Sequence, residues 1–427
     1  MAIAPCLALA GALLSPVPVQ AAETVTMWTF LNPEKDSPRD RALRQIIENF
    51  EAANPEIDIA VESQVWSTLT EKFVVSHRSG TAPDIGWIVG EAMGLLINSD
   101  TAADLGPPIA DKWDAAYREN LVLPQAYDWL TKDGKLHAMP IMAISLVLFY
   151  RKDLFAEAGI DVAKVKTWDA FADAAKKVQL EKDGRVERWG TGLHLSTEKT
   201  TMSPAANALM AQQGGRLFGE KCKAMLANED GVRALQMQNG LITEAKVASP
   251  ESFVYTLDDV IEQFTAGKVA ITTAGNSRYG SIAQKAGWDA AGLGIMPWPS
   301  FDGTAPGPQL LSGWFAAVSK DSPRKEAAAK FVAYMTGPEA AELWTDPGGQ
   351  VPIYKSVFAQ AKFQAPAYDW MRELAGMWAA AEVWLPPDCN ATRTFADLNT
   401  ASQKVVLGEV SPMDALKAAE EATAARQ

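Results

Sequence analysis

Residues 24–63 read TVTMWTFLNPEKDSPRDRALRQIIENFEAANPEIDIAVES, and this stretch decides the fold class. Residues 24–30 are rich in β-forming side chains, and Asp36-Ser37-Pro38 supplies a helix cap followed by proline. Apolar residues then recur every three or four positions, which is typical of one buried helix face: Leu43, Ile46, Ile47 and Phe50. Apolar residues alternate with polar ones over residues 57–62, which predicts a second strand. Strand, helix and strand in this order predict a parallel sheet with crossover helices.

The alternation of strands and helices continues along the chain, without an internal repeat or a Pro/Gly/Ser-rich linker. The apolar run 138–150 predicts a buried strand, although it carries Pro140. Helix starts are indicated at Thr167, at Ser322-Pro323 and at the capping box of Ser411. Further strands are expected at residues 84–89, 146–150, 269–273, 293–296 and 315–319. We therefore expect an α/β protein with two lobes that several strands connect.

The length and composition exclude several classes of protein. A chain of 427 residues exceeds one ordinary domain and suggests two lobes. With 48% hydrophobic and 21% charged residues, the chain is globular rather than collagen-like, coiled-coil or disordered. The net charge of -13 makes nucleic acid an unfavourable partner. Fourteen tryptophans offer many flat apolar faces to a binding cleft.

Residues 1–22 carry no charge and are interpreted as a secretory signal peptide. The segment 3–14 is mostly apolar, Pro16 and Pro18 interrupt it, and Val19-Gln20-Ala21 resembles a cleavage site. A short N-terminal core helix is the competing interpretation, which the two prolines disfavour. No later stretch reaches the roughly 18 apolar residues that a membrane span needs. We therefore expect an exported, periplasmic protein.

Cysteines and histidines give no sign of a metal or cofactor site. Two cysteines follow the predicted signal peptide, Cys222 and Cys389, and export permits either a disulfide between them or two separate thiols. Three scattered histidines show no metal-ligand spacing: His77, His137 and His194. Nucleophile-elbow, zinc-protease and nucleotide-binding motifs are absent from the sequence. The sequence predicts a protein that is not an enzyme and needs no cofactor. It leaves open a Ser/His/Asp triad or a carboxylate pair assembled from distant positions.

Seven segments, in order, resemble the family 1 extracellular solute-binding proteins, which deliver substrates to ABC importers. They are residues 25–28 (VTMW), 80–85 (GTAPDI), 148–160 (LFYRKDLFAEAGI), 166–171 (KTWDAF), 264–270 (FTAGKVA), the helix from residue 330 (KFV) and 408–416 (GEVSPMDAL). The sequence departs from the family pattern at Arg151, where Asn is usual, and at Asn276-Ser277, where a tryptophan is common. The resemblance covers essentially the whole chain after the predicted signal peptide.

The resemblance implies a two-lobed periplasmic-binding-protein fold, similar to type II, with several hinge crossings and the ligand cleft between the lobes. By similarity, residues 23–142 with 313–360 form the N-terminal lobe, and residues 143–312 with 361–427 form the C-terminal lobe. Family members bind mostly sugars, oligosaccharides and polyols. The implied function is therefore delivery of a carbohydrate or polyol to an ABC import permease in the membrane, by closure of the cleft on the ligand. We expect the protein to be a monomer.

The resemblance also indicates candidate ligand contacts, each with a structural alternative. Asn32 follows the first strand and Trp66 the second, at the strand ends where open α/β sheets bind ligands. A turn residue and core packing are the respective alternatives. Glu91 lies where sugar-binding relatives place an acid on the cleft, and an exposed helix start is its alternative. Arg393 resembles a position where relatives reach the ligand with arginine, and a surface pair with Asp397 is its alternative.

The remaining candidates lie in two later segments. Asn276 and Arg278 follow Gly275, in the loop where relatives place a cleft tryptophan. Ser312-Gly313-Trp314 falls at the last crossing between the lobes. Relatives often have two glycines there, which let backbone amides approach the ligand. Trp314 is suited to stack on the apolar face of a sugar ring, and packing at the hinge is its alternative.

Three other functions stay open on the sequence. An anionic ligand, such as glycerol phosphate or a sugar acid, would make Arg278 and Arg393 an anion clamp. A secreted glycan hydrolase would need catalytic carboxylates in the cleft. A sensor subunit would report its ligand to a membrane receptor instead of a permease.

Overall fold

The structure is a computed structural model, and it describes residues 22–122, 124–198, 200–303, 311–379, 389 and 391–426. All but the last residue of the predicted signal peptide, residues 1–22, lies outside the described residues. In the described part of the chain, no helix is long and apolar enough to cross a membrane.

The strands of the described chain are β1 (Glu23–Thr29), β2 (Ile57–Ser63), β3 (Ile85–Val89), β4 (Thr131–Lys132), β5 (Lys135–Leu136), β6 (Met139–Arg151), β7 (Leu180–Lys182), β8 (Arg185–Gly192), β9 (Val269–Gly275), β10 (Leu293–Met296) and β11 (Leu311–Val318). Its helices are α1 (Pro38–Ala53), α2 (Leu69–Arg78), α3 (Met93–Asn98), α4 (Ala115–Asn120), α5 (Gln125–Leu130), α6 (Lys152–Glu157), α7 (Trp168–Val178), α8 (Pro204–Gln212), α9 (Glu229–Thr243), α10 (Leu257–Thr265), α11 (Tyr279–Lys285), α12 (Lys325–Met335), α13 (Pro338–Thr345), α14 (Lys355–Phe358), α15 (Asp369–Ala379), α16 (Ala391–Val406) and α17 (Pro412–Ala424).

The opening stretch folds as its pattern predicts. β1 pairs in parallel with β2 on one side and with β3 on the other, and α1 and α2 are the crossover helices between these strands. The hydroxyl of Ser37 accepts a hydrogen bond from the backbone N–H of Asp40 at 3.3 Å and so caps α1. The predicted apolar face of α1 is buried. We call β1, β2, β3 and β11, with the helices packed on them, the first half of the protein.

β6 connects the first half to the rest of the sheet. Residues 139–145 of this strand pair with β11, and residues 146–150 pair with β9. The sheet therefore runs β2-β1-β3-β11-β6-β9-β8-β7, and β10 also pairs with β6. Pro140 is tolerated inside the strand because a β-bulge shifts the register beside it, between Trp314 and Phe315. The buried strand predicted at residues 138–150 is confirmed.

The second half of the protein consists of β7 to β10 and the helices around them. β8 runs parallel to β9, and β7 pairs antiparallel with β8. The hydroxyl of Thr167 caps α7 as the sequence indicates, and the apolar face of α7 with Phe171 and Ala175 is buried. The buried apolar side chains form two clusters. The one around Phe171 and Phe395 lies in the second half, whereas the one around Trp87 and Trp314 fills the first half and extends to Phe264 of α10 and Ile295 of β10.

Several details differ from the sequence expectations. The sheet is parallel at β1 to β3, but β6, β10 and β11 run antiparallel to their neighbours. α12 begins at Lys325, just after the expected start at Ser322-Pro323, and Pro338 begins α13. The hairpins β4–β5 and β7–β8 were not predicted, because such short polar strands carry no usable alternation. Cys222 and Cys389, which the sequence left open, form a disulfide.

Candidate functional site

A cavity of about 260 Å3 lies between the two halves. The segments that follow β1, β2 and β3 line it from the first half, and the segment after β9 lines it together with the first turn of α10. Its charged lining residues are Arg39, Glu91, Asp258 and Arg278, and its aromatic lining residues are Phe30, Trp66 and Trp314. Because open α/β sheets bind ligands at the carboxyl ends of their strands, this cavity is the candidate binding site.

Arg39 reaches the cavity from the first turn of α1. The buried carboxylate of Asp40 holds this turn, since it accepts hydrogen bonds from the backbone N–H of Asn32 at 2.9 Å and from the hydroxyl of Ser37 at 2.6 Å. The guanidinium carbon of Arg39 lies 5.0 Å from the centre of the Phe30 ring. Burial, together with the nearby charge of Arg278, lowers the pKa of Arg39 to about 9. Arg39 therefore remains a cation at neutral pH.

Glu91 lies in a short turn, Gly90–Ala92, directly after β3. The hydroxyl of Ser312 donates a hydrogen bond to its carboxylate at 3.0 Å. Burial raises the pKa of Glu91, and the hydrogen bond from Ser312 opposes this effect only in part. Glu91 is thus a half-buried acceptor on the cavity wall, held towards β11.

Gly313 allows β11 and β6 to approach each other beside Glu91. A Cβ atom on Gly313 would lie 2.2 Å from the carbonyl oxygen of Met142. Such contacts do not occur in real structures, so only glycine fits this position in the observed backbone. The close approach places Ser312 and Trp314, on either side of Gly313, in the cavity wall.

Asp258 is a charged residue that lines the cavity from the second half. It lies in the first turn of α10, which Thr256 and Asp259 cap. Arg278, in the turn after β9, donates a hydrogen bond to Asp258 at 2.8 Å. From the first half, Trp66 Nε1 donates a long hydrogen bond of 3.4 Å to the other carboxylate oxygen. Asp258 therefore joins a second-half ion pair to a first-half aromatic residue.

Aromatic side chains supply the apolar part of the cavity. The rings of Phe30 and Trp314 are 4.5 Å apart, and Trp87 packs behind Trp314 with ring centres 6.2 Å apart. Trp314 is 6% exposed, so only an edge or part of one face is open to a ligand. Trp66 is half-buried at the mouth of the cavity, next to the exposed Val65.

The structure brings six of the nine sequence-predicted site residues to the cavity and places three outside its lining. The six are Trp66, Glu91, Arg278, Ser312, Gly313 and Trp314. Asn32 forms a turn, because its side chain accepts a hydrogen bond from the backbone N–H of Glu34 at 2.9 Å. Asn276 is fully buried and accepts a hydrogen bond from the backbone N–H of Ser145 at 2.8 Å.

Arg393 lies in α16 outside the cavity lining, and its guanidinium pairs with Glu71 of α2 at 2.9 Å. The alternative partner considered from the sequence, Asp397, instead accepts hydrogen bonds from Thr423 and Arg426. The Arg393–Glu71 pair joins the two halves at the surface. The proposed clamp of Arg278 and Arg393 is therefore not assembled in this structure.

Sequence reasoning missed Arg39, Asp258 and Thr201 in the cavity lining. Thr201 is 8% exposed, and no described residue is a hydrogen-bond partner of its hydroxyl. The sequence did indicate that Arg39 follows a helix cap. It carried no signal that Asp258 and Trp66, which are 192 residues apart, meet across the cavity.

The described residues give no support to a hydrolase triad or a metal site. His77 lies 3.4 Å from the hydroxyl of Ser319 and 3.4 Å from the carboxylate of Asp321. Ser319 is only 3% exposed, so this Ser/His/Asp arrangement offers no accessible nucleophile. Within the described ranges, no group of three His, Cys, Asp or Glu side chains is placed to hold a metal ion.

Two surface grooves are larger than the cavity but are weaker candidates. One of about 910 Å3 is lined by Trp113 and Tyr334, within the first half. The other, about 800 Å3, is lined by Phe301 and Val405, within the second half. Neither groove joins the two halves or lies at strand ends. The smaller cavity between the halves is therefore preferred.

The fold and the cavity define a class of protein: a two-lobed binding protein whose ligand site lies between two α/β halves. Residues 35–342 match the model of the bacterial extracellular solute-binding protein family. The chain belongs to this family, which confirms the family predicted from the sequence.

Three relatives illustrate the similarity. The mannitol-binding protein of Pseudomonas aeruginosa is 26% identical over 381 residues, which cover 83% of this chain and 80% of the relative. The sn-glycerol-3-phosphate-binding periplasmic protein of Escherichia coli K12 is 25% identical over 351 residues, which cover 79% of this chain and 76% of the relative. The solved structure of the ABC substrate-binding protein Lmo0181 from Listeria monocytogenes, in complex with cycloalternan, is 25% identical with a TM-score of 0.77, and the match covers 94% of this chain and 97% of that chain. The two-lobed α/β fold is confirmed.

Proposed function

We propose that this protein binds a carbohydrate or polyol between its lobes and delivers it to an ABC import permease by closing on the ligand. The observation that carries the proposal is a cavity in which aromatic faces adjoin charged hydrogen-bonding groups. Sugars and polyols present apolar C–H surface and many hydroxyls, and such a site rejects analogues that lack a hydroxyl. Relatives named for mannitol and glycerol phosphate bind small hydroxylated molecules, which supports the same class here.

Each proposed contact has a chemical role. The Glu91 carboxylate accepts hydrogen bonds from ligand hydroxyls, Arg278 donates them, and Trp66 and Trp314 supply apolar contact. Ser312 and Gly313 bring backbone groups of β11 close to the ligand. The volume of about 260 Å3 is below the roughly 300–1,000 Å3 of drug-sized pockets, which favours a ligand of monosaccharide or hexitol size.

The proposed lobes are residues 23–142 with 313–360, and residues 143–312 with 361–427. The change of partner along β6, from β11 to β9 after Ser145, supports a boundary near residue 142. Closure of the two lobes would present a surface to a separate permease, and a monomer suffices for this role. Periplasmic export through the signal peptide of residues 1–22 is supported by the disulfide between Cys222 and Cys389, since disulfides persist in oxidising compartments.

We also propose that the protein performs no bond chemistry. The cavity does contain two carboxylates, Glu91 and Asp258, which is the residue type that glycosidases use. Arg278 and Trp66 both donate to Asp258, so this carboxylate is engaged in structural contacts. The function test therefore includes a check that the ligand is recovered unchanged.

The test is thermal melting of the mature protein against hexoses, hexitols, sugar acids and sugar phosphates. A ligand at about 100 times its Kd should add roughly 2.7 kcal/mol to the free energy of unfolding. The variant Trp66→Ala should lose this shift, whereas Trp113→Ala, in the groove outside the cavity, should keep it. A ligand converted to product would establish the hydrolase instead. A panel without any shift would reject the proposed function.

A further inference from the structure

The charged groups of the cavity differ in whether they already have partners. Asp258 and Arg278 pair with each other through the 2.8 Å hydrogen bond, and Glu91 accepts a hydrogen bond from Ser312. Arg39 contacts the face of Phe30, but no described residue accepts a hydrogen bond from its guanidinium. Asp40, its neighbour, is occupied by Ser37 and by the backbone of Asn32. Arg39 is therefore the uncommitted charge among the described residues that line the cavity.

An uncommitted half-buried cation is unfavourable unless a ligand supplies its acceptor. The nearby charge of Arg278 increases this cost, and the carboxylates of Asp40 and Asp258 offset only part of it, because the pKa of Arg39 is still lowered. Glu91 is not the missing partner. It makes no hydrogen bond or ion pair with Arg39, and neither group shifts the pKa of the other. The two charges thus act in separate parts of the cavity.

The geometry of Arg39 suits a planar anion. The guanidinium lies over the Phe30 ring at 5.0 Å. A guanidinium that stacks on an aromatic ring keeps its in-plane N–H groups available, and these match a carboxylate with two parallel hydrogen bonds. The guanidinium of Arg39 lacks a hydrogen-bond acceptor among the described residues, and one carboxylate would supply it, while Asp40 and Asp258 already offset part of its charge. A phosphate monoester brings about -1.5 to -2 charges at neutral pH and would exceed it.

We propose that the ligand of this cavity is a hydroxylated carboxylate, a sugar acid of about hexitol size, and that Arg39 is the residue that selects its carboxylate. This inference rests on the proposed function and narrows its ligand class. Glu91 and the hydroxyl of Thr201, which has no described partner, remain available to the ligand hydroxyls.

The experiment compares three matched ligand classes by isothermal titration: hexitols, the corresponding aldonates and uronates, and the hexitol phosphate monoesters. A sugar acid should bind the wild-type protein at least about 10-fold more tightly than its neutral polyol. Arg39→Gln should weaken binding of the sugar acid by about 10- to 100-fold and change the affinity for the polyol by less than about 2-fold. Arg39→Lys should restore part of the preference, because it keeps the charge but not the planar fork.

The control is Arg44→Gln, which removes the same charge from α1 outside the cavity, where the guanidinium pairs with Asp36 and donates a hydrogen bond to the carbonyl oxygen of Pro33. It should leave all three affinities unchanged. Binding of the sugar acid by the wild-type protein should also weaken with added salt, while binding of the polyol should not. This readout tests the inference even if Arg39→Gln fails to fold.

The remaining outcomes separate the inference from the proposed function. A polyol that binds more tightly than its acid, or an Arg39→Gln variant that weakens both alike, would overturn the inference and leave the function intact. Tightest binding of a phosphate monoester would overturn the assignment to a carboxylate. If none of the neutral or charged ligands binds, the proposed function is rejected, and the inference with it.

Discussion

At the residue scale, the cavity holds side chains that are poorly satisfied by the protein itself. Arg39 has no described acceptor, the hydroxyl of Thr201 has no described partner, and burial raises the pKa of Glu91. Each of these features costs folding free energy, and each offers a hydrogen bond to a ligand. Binding sites commonly show this exchange of stability for function. It follows that substitutions here should change stability and affinity in opposite directions.

Glu91→Gln tests this opposition. A raised folded-state pKa means that the protonated form of Glu91 is favoured by folding. Its contribution to stability is therefore largest below the usual pKa of a glutamate and is lost as pH rises through the raised value. The neutral glutamine should raise the melting temperature at pH 7 but not at pH 4. Ligand affinity should fall by about 10- to 100-fold, since hydrogen bonds to charged groups contribute about 1.5–3 kcal/mol.

The control for Glu91→Gln is Glu48→Gln, on the exposed side of α1. This variant should move neither the melting temperature at pH 7 nor the affinity. If Glu91→Gln lowered stability at pH 7 together with affinity, the carboxylate would be a structural partner of Ser312 rather than a ligand contact.

At the scale of elements, local patterns predicted the units whose contacts are local. The cap at Ser37 and the apolar spacing of α1 predicted β1-α1-β2, because a cap and a buried face depend on neighbouring residues. β6 was predicted only as a buried run. Its exchange of partners depends on β11 and β9, which lie far along the chain. Sequence patterns do not show which distant strands pair with each other. The pairing of β6 with both β11 and β9 was therefore found only in the structure.

The same limit explains the candidate site. Trp66 was predicted because it follows a strand, and Glu91 and Ser312-Gly313-Trp314 because the sequence resembles a known family at these positions; all of them lie after or within strands. Asn32 and Asn276 also flank strands, yet their side chains satisfy backbone N–H groups instead of facing the cavity. Which way a residue after a strand points depends on the turn it enters. Arg39 and Asp258 reach the site from the first turns of helices; the sequence analysis treated the first of these turns only as a cap and did not predict the second.

The disulfide between Cys222 and Cys389 stabilises the second half at the element scale. It ties a short turn, Glu220–Cys222, to the segment just before α16. The double variant Cys222→Ser/Cys389→Ser should lose about 2–5 kcal/mol of unfolding free energy, measured by denaturant titration. A reducing agent should lower the unfolding free energy of the wild-type protein by a similar amount and leave that of the double variant unchanged. Alkylation of both cysteines in the native, oxidised protein would show that the bond is absent.

At the scale of the whole molecule, two of the described side-chain contacts that join the halves involve first-half residues that follow β2. Trp66 of the first half donates to Asp258, and Glu71 of α2 pairs with Arg393 of α16. α16 also packs against the turn that carries Glu91. Because ligand binding in a two-lobed protein depends on the fraction of closed molecules, contacts that form only on closure raise the apparent affinity without touching the ligand.

Glu71 and Arg393 provide the sharpest test of this closure. Both side chains are about half exposed, 45% and 48%, so we expect the pair to contribute at most about 1 kcal/mol. Glu71→Gln and Arg393→Gln should each weaken ligand binding by up to about 5-fold, mostly at low salt, and the double variant should be no weaker than either. The melting temperature without ligand should hardly change. If Arg393→Gln weakened ligand binding by more than about 10-fold while Glu71→Gln had no effect on it, Arg393 would leave Glu71 and contact the ligand, as its sequence position suggests. The double-mutant cycle therefore distinguishes an ion pair that stabilises the closed form from a ligand contact, because only the ion pair requires both partners.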